Sequence, residues 1–176
     1  FELEISKKYP IYEPFDNNFE VFGGMIVMEM TLNHLSSIIG KILGKLTKTS
    51  HVTKRINNIL SYLDTEKRTK PRLIITHIFP NSYLSNLEIL QEFDIIDRVN
   101  RKKCNNIEDY RDAIKSKRGK FLEIVTELNK RAVLEIPKIL EEEVIFSKTY
   151  KFPLSISYQK LKGNKRLKSH VGKTKK

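Results

Sequence analysis

The feature that most constrains this chain is the order of apolar segments within residues 71–116. Residues 72–79 are nearly continuously apolar, which is typical of a strand in the centre of a sheet. A Pro-Asn-Ser turn and a short helical segment follow, and residues 94–99 form a second apolar strand. Residues 107–115 then have apolar side chains at helical spacing behind Asn106, a residue type that caps helices well. This alternation predicts one α+β domain.

The remaining segments add strands on either side of a helical stretch. Residues 21–30 combine a Gly-Gly turn with a β-rich run, and residues 31–67 repeat apolar side chains at helical spacing. We expect two helices in that stretch, the first beginning near Asn33 and the second near Thr53, with their apolar faces in the core rather than on a membrane surface. The other predicted elements are a short helix at 83–90, strands at 121–128 and 132–136, a helix or strand at 139–146 and an extended segment at 150–157.

Together these segments resemble a PDZ domain of the DegP/HtrA serine-protease type. In that family a strand, a turn and a short helix lead to a Gly-Asp-hydrophobic-Ile step, an Asn-Gly turn and a second helix. Residues 94–96 (Asp-Ile-Ile) match the step, and residues 99–100 (Val-Asn) match the start of the turn. Phe93 and Arg101 stand where the family usually has glycine, and a non-glycine residue with positive φ is uncommon.

The flanking sequences are similar to the second PDZ domain of plant-type Deg proteases. FELEISKKYPIYEP followed by FEVFGGMIVMEMTLNHL resembles the junction into that domain, and RAVLEIPKILEEEVIFSKTYKFPLS resembles its closing segment. The implied fold is a PDZ-like partly open β-barrel or sandwich with two flanking helices and a helical insertion. The implied divisions are the last strand of a preceding PDZ domain at 1–8, a linker at 9–20, the PDZ-like domain at 21–157 with its insertion at 31–67, and a basic flexible tail at 158–176.

The resemblance implies peptide recognition. A PDZ groove binds a peptide as an added strand beside a sheet edge, and backbone N–H groups of a glycine-containing loop hold its terminal carboxylate. The candidate peptide-binding residues are Phe22, Gly23, Gly24, Met25, Ile26 and Met28 on the loop and strand, with Ile107, Arg111 and Ile114 on the facing helix. The alternative is that the two glycines form only a tight turn, and that the chain itself or a neighbouring subunit fills the groove.

The sequence contains no motif for catalysis. The Gly-Asn-Ser-Gly-Gly nucleophile motif of the family is missing, and no histidine lies near a glycine-flanked serine. One cysteine and four scattered histidines do not form a spaced metal-ligand set. We therefore expect no catalytic residue, metal or cofactor in this chain. The resemblance implies that a trypsin-like serine protease domain lies elsewhere in the parent protein. We interpret His77 as structural and residues 141–143 (Glu-Glu-Glu) as a solvated face.

Basic residues are concentrated at the C-terminal end. The formal net charge is +12, yet the segment from Lys160 to Lys176 holds eight Lys or Arg and no acidic residue. Subtraction leaves 25 basic and 21 acidic residues in the rest of the chain, a charge of only +4. Such a run is typical of a solvated tail, and also of a nuclear-localisation signal or a nucleic-acid-binding arm. A stand-alone PDZ-like adaptor and a nucleic-acid-binding protein that uses this tail are therefore the alternative functions.

Cysteine content and hydropathy bear on the environment of the chain. Cys104 is the single cysteine, so an internal disulfide is impossible, which favours a reducing intracellular compartment. We expect this residue to be half-buried in a turn. No apolar run approaches about 18 residues, so we expect no membrane span. The partners we expect are peptides or unfolded protein segments, and further copies of this chain in a homo-oligomer.

Overall fold

One antiparallel sheet organises the computed structural model, which describes residues 18–43, 54, 57–64, 67, 71–116 and 119–171. The strands in this part of the chain are β1 (Phe19–Val21), β2 (Met25–Glu29), β3 (Leu73–Ile78), β4 (Ile95–Val99), β5 (Lys102–Lys103), β6 (Phe121–Thr126) and β7 (Arg131–Glu135). The order across the sheet is β1-β2-β3-β4-β6-β7, and β5 pairs with β4. The sheet is open, and its combination with helices confirms the predicted PDZ-like α+β fold.

The helices frame this sheet. They are α1 (Leu32–Leu43), a 3₁₀ helix (Ser61–Leu63), α2 (Tyr83–Asn86), α3 (Ile107–Lys115), α4 (Ile136–Tyr150) and α5 (Ile156–Val171). The Asn106 side chain caps α3 as predicted, since its Oδ1 accepts a hydrogen bond of 2.7 Å from the backbone N of Asp109. The predicted helix at 83–90 is shorter than expected, and the ambiguous segment at 139–146 is helical. Thr53, the expected start of a second inserted helix, lies outside the described residues, whereas Lys54 and residues 57–60 are helical.

The main core lies on one face of the sheet. Leu73, Ile75 and Ile96 point into it from the central strands, and helix α3 contributes Tyr110 and Ile114. Helices α4 and α5 close the same core with buried side chains at Ile136, Ile139, Tyr158 and Leu161. Apolar surface removed from water in this way supplies most of the driving force for folding.

A second core lies on the opposite face. Ile74 and Ile95 alternate with the residues of the main core along their strands, so they point to the other side. They pack against Met30, Leu35, Ile38, Ile59 and Tyr62, most of which belong to the inserted segment. The helical insertion therefore covers the sheet, as its apolar spacing predicted. Within the described residues, no helix is both long and apolar enough to cross a membrane.

Two positions at which the sequence resemblance predicts glycine have positive φ values although neither is glycine. Phe93 and Arg101 have φ values of +69° and +67°, and Asn100 beside Arg101 has +50°. The Asn100 side chain supports the β4–β5 turn, because its Nδ2 donates to the carbonyl of Ala113 and its Oδ1 accepts from the backbone N of Glu123. These bonds hold a tight turn that Arg101 alone disfavours.

The C-terminal segment differs from the expectation. We expected an extended segment at 150–157 and a flexible tail from 158, but helix α4 reaches Tyr150 and helix α5 begins at Ile156. Tyr158 and Leu161 lie in the main core, because their spacing of three residues places them on one helix face. The expectation for Cys104 was also wrong, since its side chain is buried rather than half-buried.

Candidate peptide-binding groove

Strand β1 occupies the edge of β2 that faces helix α3. The pairing is antiparallel, with Phe19 opposite Met28 and Val21 opposite Ile26. From the other side, Arg111 of α3 donates from Nη2 to the carbonyl oxygen of Phe19 over 3.1 Å. We call the space between β2 and α3 the groove. It is where a PDZ domain accepts an added strand, and here a segment of the same chain lies in it.

Arg111 is the main contact between α3 and β1. Its Nε lies 2.7 Å from Glu20 Oε2, and its Nη1 donates to Asn18 Oδ1 over 3.3 Å. Asn18 also donates to Glu108 Oε1 over 3.2 Å. The Glu20 side chain is only 2% exposed, so this ion pair is shielded from solvent and from salt on one side.

The loop between β1 and β2 contains Gly23 and Gly24, with φ values of +73° and +79°. These conformations require glycine or a strained residue. The backbone N of Gly23 donates to Glu143 Oε1 over 2.8 Å, and this bond is buried. The N–H group that could hold the terminal carboxylate of a peptide is therefore bound to a side-chain carboxylate from helix α4.

Burial dominates the electrostatics of Glu143. It raises the pKa of this carboxyl to about 7, although hydrogen bonds from the backbone N–H groups of Gly23 and Gly24 act in the opposite direction. The negative charges of Glu20 and Glu142 raise this pKa further. Among the described residues, Glu143 Oε2 has no hydrogen-bond partner, and the same holds for Tyr110 Oη and Ser157 Oγ. The contact between the Glu143 carboxyl and the glycine loop therefore depends on the protonation state of that carboxyl.

Glu143 and Glu20 are functional-site residues that sequence reasoning missed, Glu20 because it fell in the expected linker at 9–20. We interpreted residues 141–143 as a solvated face, which is wrong for Glu143, with 1% exposure, and for Glu142, whose carboxylate accepts from the backbone N of Tyr83. The usable signal was helical spacing. Glu143 follows Ile136 by seven residues and Ile139 by four, so it falls on the buried stripe of α4.

The nine predicted groove residues separate into two groups. Five lie next to β1: Gly23, Gly24, Ile26, Met28 and Arg111. Ile26 and Met28 are half-buried on β2, in register with Val21 and Phe19. The other four lie in the main core: Phe22, Met25, Ile107 and Ile114. The side chains of these four residues are buried in the main core, next to the residues that line the groove.

Two histidines of the described residues, His34 and His77, lie outside the groove. His77 lies on β3, and its Nδ1 is 2.8 Å from Glu92 Oε1, an exposed pair. His34 lies in the first turn of α1, where its Nδ1 contacts the backbone N of Thr31 over 3.0 Å and burial lowers its pKa. A search of the described residues finds no group of three or more His, Cys, Asp or Glu that could hold a metal ion.

Comparison with known proteins identifies the family. Residues 12–159 match the family described as PDZ domain, a span that contains β1, the glycine loop, α3 and α4. A search of curated proteins finds no match. PDZ domains bind peptides or proteins, which agrees with a strand seated between β2 and α3. Because the match covers well over half of the sequence, this chain belongs to the PDZ domain family.

Proposed function

We propose that this chain is the non-catalytic PDZ region of a DegP/HtrA-like serine endopeptidase, where it serves substrate recognition, regulation or assembly. Membership of the PDZ family implies peptide recognition or protein interaction. The observation that carries the proposal is the seating of β1, which already makes the backbone pairing that a bound peptide would make. The protease relationship is supported by the order of the sequence segments described above.

In this proposal β1 is an internal ligand that a peptide from another protein must replace. The strand has only three residues, so it offers few backbone hydrogen bonds to β2. Its advantage is covalent linkage, because a tethered segment acts at an effective concentration on the order of millimolar. A longer peptide can form more pairs along β2 and so compete. The groove therefore binds an external peptide only when that peptide outcompetes the tethered β1.

Displacement of β1 can be measured on the unaltered chain. A peptide with the sequence of residues 17–21, NNFEV, is added in excess and amide hydrogen exchange is followed. We expect the β1 amides, from Phe19 to Val21, to lose protection while the β2 amides stay protected, because the peptide takes the place of the strand. A peptide of the same composition in the order VNFNE serves as the control. Unchanged protection of β1 at NNFEV concentrations about tenfold above the millimolar effective concentration of the tethered strand would contradict peptide recognition through this groove.

The protease relationship needs a separate test. Sequencing the parent transcript upstream of Phe1 should reveal a trypsin-like domain with a Gly-Asn-Ser-Gly-Gly motif. Such a domain would make the groove a regulatory site, and NNFEV should then alter cleavage of an unfolded substrate. A transcript without it would refute the protease assignment and leave a stand-alone adaptor.

A further inference from the structure

The carboxylate of Glu20 lies in a pocket built by two different helices. On one side Arg111 of α3 holds Oε2 at 2.7 Å from its Nε. On the other side the backbone N of Ser157 donates to Oε1 over 3.1 Å, and this bond is buried. Ser157 belongs to the first turn of the 16-residue helix α5, where unpaired N–H groups favour a negative charge. A cation and a helix N-terminus therefore meet on one carboxylate.

The three side chains of β1 differ in how much the groove constrains them. Phe19 is 47% exposed, whereas Glu20 is 2% exposed and has both carboxylate oxygens bound. The contact from Arg111 to the carbonyl of Phe19 is to the main chain, so any residue could make it. The contact to Glu20 requires an acidic side chain. Val21 is also buried, at 6% exposure, but its side chain is apolar. Backbone pairing therefore holds a strand in the groove, and position 20 is the buried position of β1 at which a charged side chain is bound.

We infer that the peptide replacing β1 carries an acidic side chain in the place of Glu20, and that Arg111 determines this specificity. The inference rests on the proposed function, because it requires a peptide to bind where β1 lies. A lysine at that place would face the Arg111 guanidinium and the α5 N-terminus, both unfavourable for a positive charge. A neutral side chain would leave the largely buried Arg111 charge with only the exposed Glu108 carboxylate, 3.4 Å from Nη1, as its ionic partner, and losing the buried partner is costly.

A charge exchange tests the inference. Two full-length variants, Glu20→Lys and Arg111→Glu, each put like charges at the pair and so weaken the seating of β1. Their affinities for two labelled peptides, NNFEV and NNFKV, are measured by fluorescence anisotropy. We expect the Glu20→Lys chain, which retains Arg111, to bind NNFEV at least about tenfold more tightly than NNFKV. The Arg111→Glu chain should reverse that preference.

A milder variant keeps the test valid if a charge reversal prevents folding. Glu20→Gln has nearly the same size and leaves Arg111 in place, and it should show the same preference for NNFEV. Adding Lys103→Glu to this variant is the matched control, because it gives the same change of net charge as Arg111→Glu at an exposed position on β5. The preference should not change. Thermal unfolding of every variant shows which of them are folded.

The outcomes separate the two proposals. Equal affinity for NNFEV and NNFKV in folded Glu20→Lys and Arg111→Glu chains would overturn the acidic specificity and leave peptide recognition intact. Failure of both peptides to bind folded variants whose β1 amides exchange freely would refute peptide recognition, and the specificity with it. A preference that follows the charge at position 111 would support both.

Discussion

The buried carboxyl of Glu143 makes the stability of this domain depend on pH. Its pKa is 4.5 in an ordinary environment and about 7 in the folded chain, so the folded state binds a proton that the unfolded state has already released. Stability is therefore fully present below pH 4.5 and falls as the pH rises through 7. We predict that Glu143→Gln, which keeps an acceptor for the Gly23 N–H but cannot ionise, removes this dependence.

The expected size follows from the two pKa values. A change from 4.5 to about 7 corresponds to a loss of about 3 kcal/mol in the free energy of unfolding across that pH range. The amide introduced by Glu143→Gln places a donor where Oε2 has no partner among the described residues, which costs about 1–3 kcal/mol at every pH. The pH-dependent part of the difference between the two chains is thus the quantity to measure.

Urea unfolding at pH 5, 6, 7 and 8 provides the assay, with Glu141→Gln as the control. Glu141 is an exposed neighbour on the same helix, so its substitution should leave the pH profile unchanged. We expect the free energy of unfolding of Glu143→Gln, relative to the natural chain, to rise by about 3 kcal/mol from pH 5 to pH 8. Parallel profiles for the two chains would refute the argument that burial raises the pKa of Glu143 in the folded chain.

The remaining predictions concern four individual positions. Gly24→Ala should lower the free energy of unfolding by about 2 kcal/mol, because φ is +79° and the new Cβ would lie 2.8 Å from Ser82 Cβ. Gly40→Ala is the matched control in helix α1, where a new Cβ would meet no atom within 4 Å apart from the backbone of its own helix. It should raise the free energy of unfolding by up to about 1 kcal/mol. Arg101→Gly should raise it by about 1 kcal/mol by relieving a φ of +67°, and an unchanged urea midpoint would contradict this. Cys104 is buried, and burial raises the pKa of its thiol to about 11. We therefore expect it to react with a thiol reagent such as DTNB only after unfolding. Rapid labelling of the folded chain would refute its burial.

Local signals were enough to predict the centre of the fold. The strand β3, the strand β4 and the capped helix α3 each have an apolar pattern of the right period and clear boundaries, so neighbouring residues alone specify them. Residues 19 and 20 were assigned to a linker instead. Three residues have too little periodicity to indicate a strand, and β1 exists because β2 and Arg111 hold it.

The C-terminal part was less predictable, because its many basic residues made the helical spacing of the apolar residues difficult to recognise. The run of Lys and Arg dominated the interpretation of residues 158–176, although Tyr158 and Leu161 fill the core at helical spacing. Burial of Glu143 could not be predicted before the adjacent segment was known to be helical. Nucleic-acid binding through Lys160 to Lys176 and assembly into a homo-oligomer stay predictions, as do the division at residues 1–8 and the intracellular compartment.

The short turn at Gly23 and Gly24 determines how the pairing of β1 with β2 responds to a force on the chain. Because β1 and β2 form a hairpin, the start of β1 and the end of β2 lie together at the end away from this turn. A force applied at Asn18 and directed away from β2 therefore loads the backbone hydrogen bonds one pair at a time rather than all at once. The Arg111 contacts to Asn18 and Phe19 yield first, and Gly23 is reached last. A force along the strand axis would instead load the backbone pairs together, and the buried contacts of Glu20 to Arg111 and Ser157 would oppose a force in either direction.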